Sequence, residues 1–158
     1  MQAKLRLFLI TVIFIVSCAL IPKLLFAEEK LPYPGFTLPI ESKAYQQFKL
    51  RPMSDLSKLI YLIDRFIDSD IQIMYENHYY PAFFAARAAR AFLPAHYKNE
   101  KPEAWIMQWC STSFPSGAPI WMKFSDGSFK LGREVLIQEL KLLNQTLEGE
   151  SIEKKDWT

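Results

Sequence analysis

From Ser54 to Asp70 the apolar residues Leu56, Leu59, Ile60, Ile63, Phe66 and Ile67 recur at intervals of three and four, which places them on one face of a helix. Ser54 supplies an N-cap, and Asp55 puts an acid in the first turn, where the helix dipole favours negative charge. The period then changes to two. Ile71, Ile73 and Tyr75 alternate with Gln72, Met74 and Glu76, which predicts a short strand, and Asn77-His78 predicts a tight turn into Tyr79-Tyr80. Pro81 suits the first position of a helix, and the alanine-rich run from Ala82 to Leu93 predicts one that stops by Pro94.

Beyond the polar stretch His96 to Lys101, Pro102 opens a shorter helix with Glu103 in its first turn and Trp105, Ile106 and Trp109 on its apolar side. Pro115, Gly117 and Pro119 make Ser111 to Pro119 a loop. Ile120 to Phe124 and Phe129 to Leu131 flank Ser125-Asp126-Gly127-Ser128, a strong hairpin signal. After Gly132, Val135, Leu136, Glu139, Leu140, Leu143 and Leu147 trace a fourth helix, and the charged residues 148–158 predict a frayed polar tail. The expected domain, 54–147, is a small α+β unit with about four helices and two short β-hairpins. Helix, hairpin, helix occurs twice. Laying Ile71 on Ile120 brings Tyr75 onto Phe124 and Asn77 onto Asp126 at a constant offset of 49 residues, so an αββα duplication is one expectation.

Residues 28–53 carry Pro32, Pro34, Pro39, Pro52 and Gly35, which oppose regular structure and predict an extended arm. One helical turn is expected near Ala44 to Phe48. The alternation of Phe36, Leu38 and Ile40 would also suit an added edge strand. Residues 1–27 read as a secretory signal: Lys4 and Arg6 begin it, and Leu7 to Ile21 form an apolar core of fifteen residues, short for a membrane span. Cleavage after Ala27 would expose Glu28-Glu29, although Leu25 departs from the small-x-small rule. Two rivals remain. Ile15-Val16-Ser17-Cys18 has the form of a lipobox, with Cys18 as the lipidated residue, and an uncleaved helix would anchor the chain with Lys4 and Arg6 on the cytoplasmic side. The expected location is periplasmic or secreted, with a membrane-anchored lipoprotein as the alternative.

A length of 158 residues fits one domain, and 50% hydrophobic with 23% charged residues excludes a disordered or collagen-like chain. The formal charge of +2 is too small to argue for nucleic acid. Removing Lys4, Arg6 and Lys23 with the signal takes the 19 basic residues to 16 against 17 acids, a net of −1, so the basicity belongs to the targeting segment. The same cut removes Cys18 and leaves Cys110 alone, which excludes an internal disulfide.

Little in the sequence marks chemistry. His78 and His96 lie on either side of a helix with no metal-ligand spacing around them, and the glycines form no phosphate-cradling series, so neither a metal nor a cofactor is expected. Cys110 with His78 or His96 is a candidate thiolate pair, set against the commoner role of cysteine as a small buried hydrophobe. Asp68 and Asp70 are a candidate carboxylate pair, against ordinary surface charge. Ser111, Ser113 and Ser116 lack the flanks of a nucleophile elbow and read as turn residues. Trp105, Trp109 and Phe114 suit either a core or an aromatic ligand surface. Arg87 and Arg90, three apart, suit a solvated face or an anion grip. Strand alternation turns Trp121 and Lys123 outward if Met122 faces in, so Trp121 joins Asn77, His78, Ser116 and Gly117 as the candidate interaction surface.

Leu59 to Ser69, Asn77, Tyr80, the alanines Ala85, Ala86, Ala88 and Ala89, the step Ser116-Gly117-Ala118-Pro119-Ile120-Trp121, Asp126-Gly127 and Leu136 to Leu140 together resemble a family of small exported bacterial proteins catalogued as a domain of unknown function. The resemblance spans about Leu56 to Leu143. It departs from the family pattern at Glu76-Asn77-His78, where the family has Arg-Asn-Gly, at Ala89-Arg90, where it has His-Leu, and at Ile120-Trp121, where a tyrosine is replaced. What it implies is export, an envelope location and one α+β domain, with no activity. The expected function is a non-catalytic module that binds an envelope protein or a cell-wall component. The alternatives are a small periplasmic enzyme using Cys110 with a histidine and an inhibitor of a cell-wall hydrolase. Contact with a membrane would come only through the uncleaved segment or a lipidated Cys18.

Overall fold

The structure is a computed structural model that describes residues 33–155, with side chains as far as Ser151. The signal, lipobox and cleavage-site readings lie outside the described residues. No helix among the described residues is long and apolar enough to cross a membrane.

The domain is α+β: five α-helices and a four-stranded antiparallel sheet made of two hairpins. The expected arm is folded chain. A 3-10 turn at Pro39–Glu41 leads to helix α1 (Lys43–Lys49), which Ser42 caps by accepting from the Tyr45 N–H at 3.1 Å. Phe36, Ala44, Tyr45 and Phe48 are all buried, and the rings of Tyr45 and Phe48 pack edge-on against Tyr61 of α2. The arm adds no strand to the sheet; its apolar residues serve the core instead, and Pro39 removes a donor that a ladder would need.

Helix α2 (Asp55–Ile67) is capped by Ser54, whose hydroxyl accepts from the Ser57 N–H, and it buries Leu59, Tyr61, Leu62, Ile63 and Phe66 at the centre of the domain. Strand β1 (Gln72–Tyr75) turns directly into β2 (His78–Pro81), and the turn residues are Glu76 and Asn77, both left-handed at φ 51° and 60°. The expected turn was one residue further on, at Asn77-His78. A two-residue turn that matches the twist of its strands needs two positive φ values, and tertiary hydrogen bonds described below hold glutamate where glycine or asparagine would be cheaper.

Pro81 ends β2 and precedes helix α3 (Ala82–His96), which runs past Pro94 by two residues. The proline gives up one helical hydrogen bond and crowds the Arg90 carbonyl, and burial of Leu93 with stacking of His96 on Phe92 at 3.6 Å holds the last turn nonetheless. Helix α4 (Pro102–Trp109), strands β3 (Trp121–Lys123) and β4 (Phe129–Leu131), and helix α5 (Gly132–Lys155) follow the predicted order. In place of a frayed tail the helix continues to Lys155, and Lys49 of α1 pairs with Glu150.

The sheet order is β2-β1-β3-β4, so the first strand of each hairpin is central. Gln72 pairs with Lys123, Ile73 with Met122 and Met74 with Trp121. The sheet is therefore symmetric about Ile73–Met122, each residue of β1 having its counterpart 49 positions later. Ile71 O accepts from the Ala82 N–H at 2.9 Å, and Ile120 O accepts from the Gly132 N–H at 2.8 Å, so each hairpin hands over to its following helix in the same way. The two hairpins, with the first residues of the helices that follow them, are thus related by a local two-fold within the sheet.

One sheet face, with Ile71, Ile73, Met122 and Phe124, meets the helices. Behind it, Arg65 of α2 and Glu139 of α5 form a buried ion pair at 3.0 Å, and the Arg65 guanidinium also donates to Thr37 O at 2.6 Å. Burial pushes the Glu139 carboxyl above its ordinary value, and Arg65 pulls it back. This one cation joins the arm, α2 and α5.

Candidate functional site

Helices α3 and α4 both pack on α2, and they meet each other through an aromatic cluster in which Trp109 lies edge-on to Phe92 and to His96, both at 5.1 Å. Bordered by that cluster, a cavity of about 1250 Å³ opens between the two helices and the inner sheet face. This exceeds the ordinary range of about 300–1,000 Å³ for small-molecule sites. One wall is the small-residue face of α3, with Ala85, Ala88 and Ala89; the opposite wall is Trp105 and Trp109; Ile73, Ile120 and Met122 form the floor. Alanine gives α3 its helical propensity and, by its size, leaves the space empty.

The rim is polar and ordered. Ser113, itself buried, accepts through Oγ from the Ala118 N–H at 3.1 Å, and its backbone N–H donates to Ala118 O at 2.8 Å. Gly117 sits at φ 73°, which only glycine adopts cheaply, and donates to Ser113 O at 3.0 Å. From this loop Ser116 donates to Glu76 Oε1 at 2.5 Å, and the Phe114 N–H donates to the Tyr75 hydroxyl at 3.3 Å. The β1–β2 turn and the Ser113–Ala118 loop are thus latched together beside the cavity. Phe114, 89% exposed, lies at the mouth with Tyr75, Tyr80 and Phe84.

Hydrogen bonds from Ser113 and Ser116, with His78 nearby, hold the Glu76 carboxyl below its ordinary value. A depressed carboxyl contributes its stabilisation above the unfolded value, near 4.5, and loses it as pH falls through the folded value. Acidification below about pH 4 should therefore reduce the protection of the Gly117 and Ala118 amides against hydrogen exchange, and Glu76→Gln should abolish that dependence. Unchanged protection in wild-type protein would mean that the latch does not hold the loop.

Four of the five residues expected to form an interaction surface lie at this end of the sheet. Asn77 is in the hairpin turn and His78 opens β2, with His78 Nδ1 2.8 Å from Glu76 O, and Ser116 and Gly117 belong to the latched loop. Trp121 pairs with Met74 near the same end but points to the opposite face, as alternation predicted. It is half-buried between Met74 and Leu131, on a face that also carries Tyr79, Lys123 and Phe129. Trp105, Trp109 and Phe114 all line the cavity, and Trp105 is also buried in the core, whereas Phe114 is exposed.

The catalytic candidates are dispersed or silenced. Asp68 and Asp70 are exposed, outside the cavity wall, and Asp68 faces Lys43 at 3.6 Å. Arg90 pairs with Asp64 at 3.3 Å, in place of an anion grip, and Arg87 is exposed. No group of three or more His, Cys, Asp or Glu residues suited to a metal ion occurs among the described residues. Cys110 lies on the cavity wall, but burial pushes its thiol up to about 12, which leaves almost no thiolate at neutral pH. In a Cys18→Ser chain, Cys110 should react with a thiol reagent at pH 8 at least about tenfold faster after unfolding than in the native state. Equal rates would restore it as a candidate nucleophile.

The cavity was invisible in the sequence, although its wall was not: Ala85, Ala88 and Ala89 could be read as one helix surface without large side chains. Comparison of the chain with protein-family models, with curated proteins and with solved structures gives no match.

Proposed function

We propose that this protein is an exported, non-catalytic envelope binding protein whose ligand is an apolar chain held between α3, α4 and the sheet. The observation that carries this reading is the cavity of about 1250 Å³ walled by alanine, aliphatic and aromatic side chains. Apolar surface of that extent is costly to leave in water, and each buried methylene of a ligand returns about 0.8 kcal/mol. The lining residues are contributed by elements that are packed on their other sides, so the site is already formed without its ligand. Export rests on the apolar segment from Leu7 to Ile21 and on the family resemblance.

Titration of the full chain with Nile red, an uncharged solvatochromic dye, tests the reading. Saturable binding at one dye per chain is expected. Fluorescence that rises without saturation would remove the proposal.

A second reading keeps a protein or cell-wall partner at the sheet face that carries Trp121, Tyr79 and Phe129. It is favoured by the exposure of Tyr79 and Phe129, at 49% and 41%, around the Lys123 ammonium. A photo-crosslinker at Trp121 in living cells should then capture one partner above a control site on α5.

A further inference from the structure

We infer that the cavity selects an uncharged amphiphile, an alkyl chain ending in a hydroxyl, ester or amide, and that Glu76 at the rim is the residue that discriminates against anionic lipids. This rests on the ligand-binding reading above and adds the chemistry of the ligand's polar end.

The first ground is the composition of the wall. None of the side chains that line the cavity is Lys, Arg, Asp or Glu, and His96 is the one histidine among them. A carboxylate or phosphate drawn inside would therefore be desolvated without a counter-ion, and so would an ammonium. On α3 itself, Arg90 is engaged by Asp64 at 3.3 Å, and Arg87 is exposed and outside the lining.

The second ground is the set of polar groups that do face a ligand. His96 Nδ1 donates to Phe92 O at 3.0 Å, which leaves Nε2 as the ring's second hydrogen-bonding atom. Tyr75, Tyr80, Gln108, Thr112 and Ser113 add hydroxyl and amide groups to the wall, donors and acceptors without charge. Uncharged donors and acceptors of this kind match an alcohol, an ester or an amide.

The third ground is the rim. Glu76 is fixed there by Ser116, which is itself 3.0 Å from Ser113 of the cavity wall. The hydroxyl network that fixes its position also favours its ionised form. A second carboxylate entering the mouth meets this fixed charge at the exposed rim and is repelled by it, while a neutral head group is not.

The test is displacement of Nile red from the full chain at pH 8 by hexadecanol and by palmitate, below their aggregation limits. The chains are of equal length, so burial contributes equally and the difference reports the polar end. Hexadecanol should displace the dye at a concentration at least about tenfold lower than palmitate, and Glu76→Gln should shrink that ratio. Equal potency of the two chains, or a ratio unchanged by Glu76→Gln, would overturn the inference while leaving the binding reading intact. Failure of the wild-type chain to bind Nile red would instead fall on the binding reading.

Discussion

Glu139→Leu is expected to destabilise the domain by about 3–5 kcal/mol, the usual cost of removing one partner from a buried ion pair. The replacement is close in volume, so little of this comes from a void. The cost arises at Arg65, which is 7% exposed and keeps only Thr37 as a hydrogen-bond acceptor once the carboxylate is gone. For a domain whose total stability is about 5–15 kcal/mol, this is a third or more of the margin, and a fall in Tm of about 10 °C or more should follow. The double variant Arg65→Met, Glu139→Leu removes both charges and should recover much of the loss, since an apolar pair of similar volume is often as good as the ion pair. Recovery should be incomplete. Arg65 also packs over the Phe36 ring at 5.1 Å and holds Thr37, so its loss frees the arm. Thermal unfolding of the three proteins decides this. A single variant as stable as wild type would show that the pair does not lock α2 to α5.

The second large effect concerns the cavity. Ala85→Trp places an indole on the α3 wall opposite Trp109 and should weaken Nile red binding by more than about tenfold. The same change should leave Tm unchanged or raise it, because a side chain entering empty apolar space gains contacts without forcing its neighbours aside. A substitution that merely damaged the fold would lower both. Ala88→Trp, at an exposed position on the same wall, is the companion variant and should also weaken binding. Retained affinity in both would place the dye elsewhere, for instance on the apolar residues Leu7 to Ile21.

How far the sequence foretold this molecule depends on where each element draws its stability. Helix α2 was legible to the residue at its N-cap because Ser54, Asp55 and six apolar positions all agree. The second hairpin was legible because Asp126-Gly127 is a local turn signal, and Gly127 indeed takes φ 81°. The first turn was displaced by one residue because its geometry is imposed from outside, by Ser116 on Glu76 and by Tyr75 on Phe114, which lie about 40 positions away in the chain. The arm was misread for a similar reason. Its prolines argued against regular structure, while Tyr45 and Phe48 are buried in the core against Tyr61, a contact distant in sequence. The tail is helical although its charges carry no apolar stripe, and Lys49 meets Glu150 across the fold.

The candidate site divides in the same way. Asn77, His78, Ser116 and Gly117 were found as turn residues, and tertiary structure brings the two turns together. The cavity behind them is a property of spacing between helices, and no window of sequence states that Ala85 of α3 and Trp109 of α4 line one open space.

The most direct measurement is methyl NMR on the full chain labelled at alanine, titrated with hexadecanol. Ala85, Ala88 and Ala89 line the cavity, whereas Ala44, buried under α2, does not. The account predicts that the first three methyl signals shift together and saturate at one molecule per chain, while Ala44 stays in place. Shifts spread over all alanines without saturation, or no shift in the α3 methyls, would contradict it.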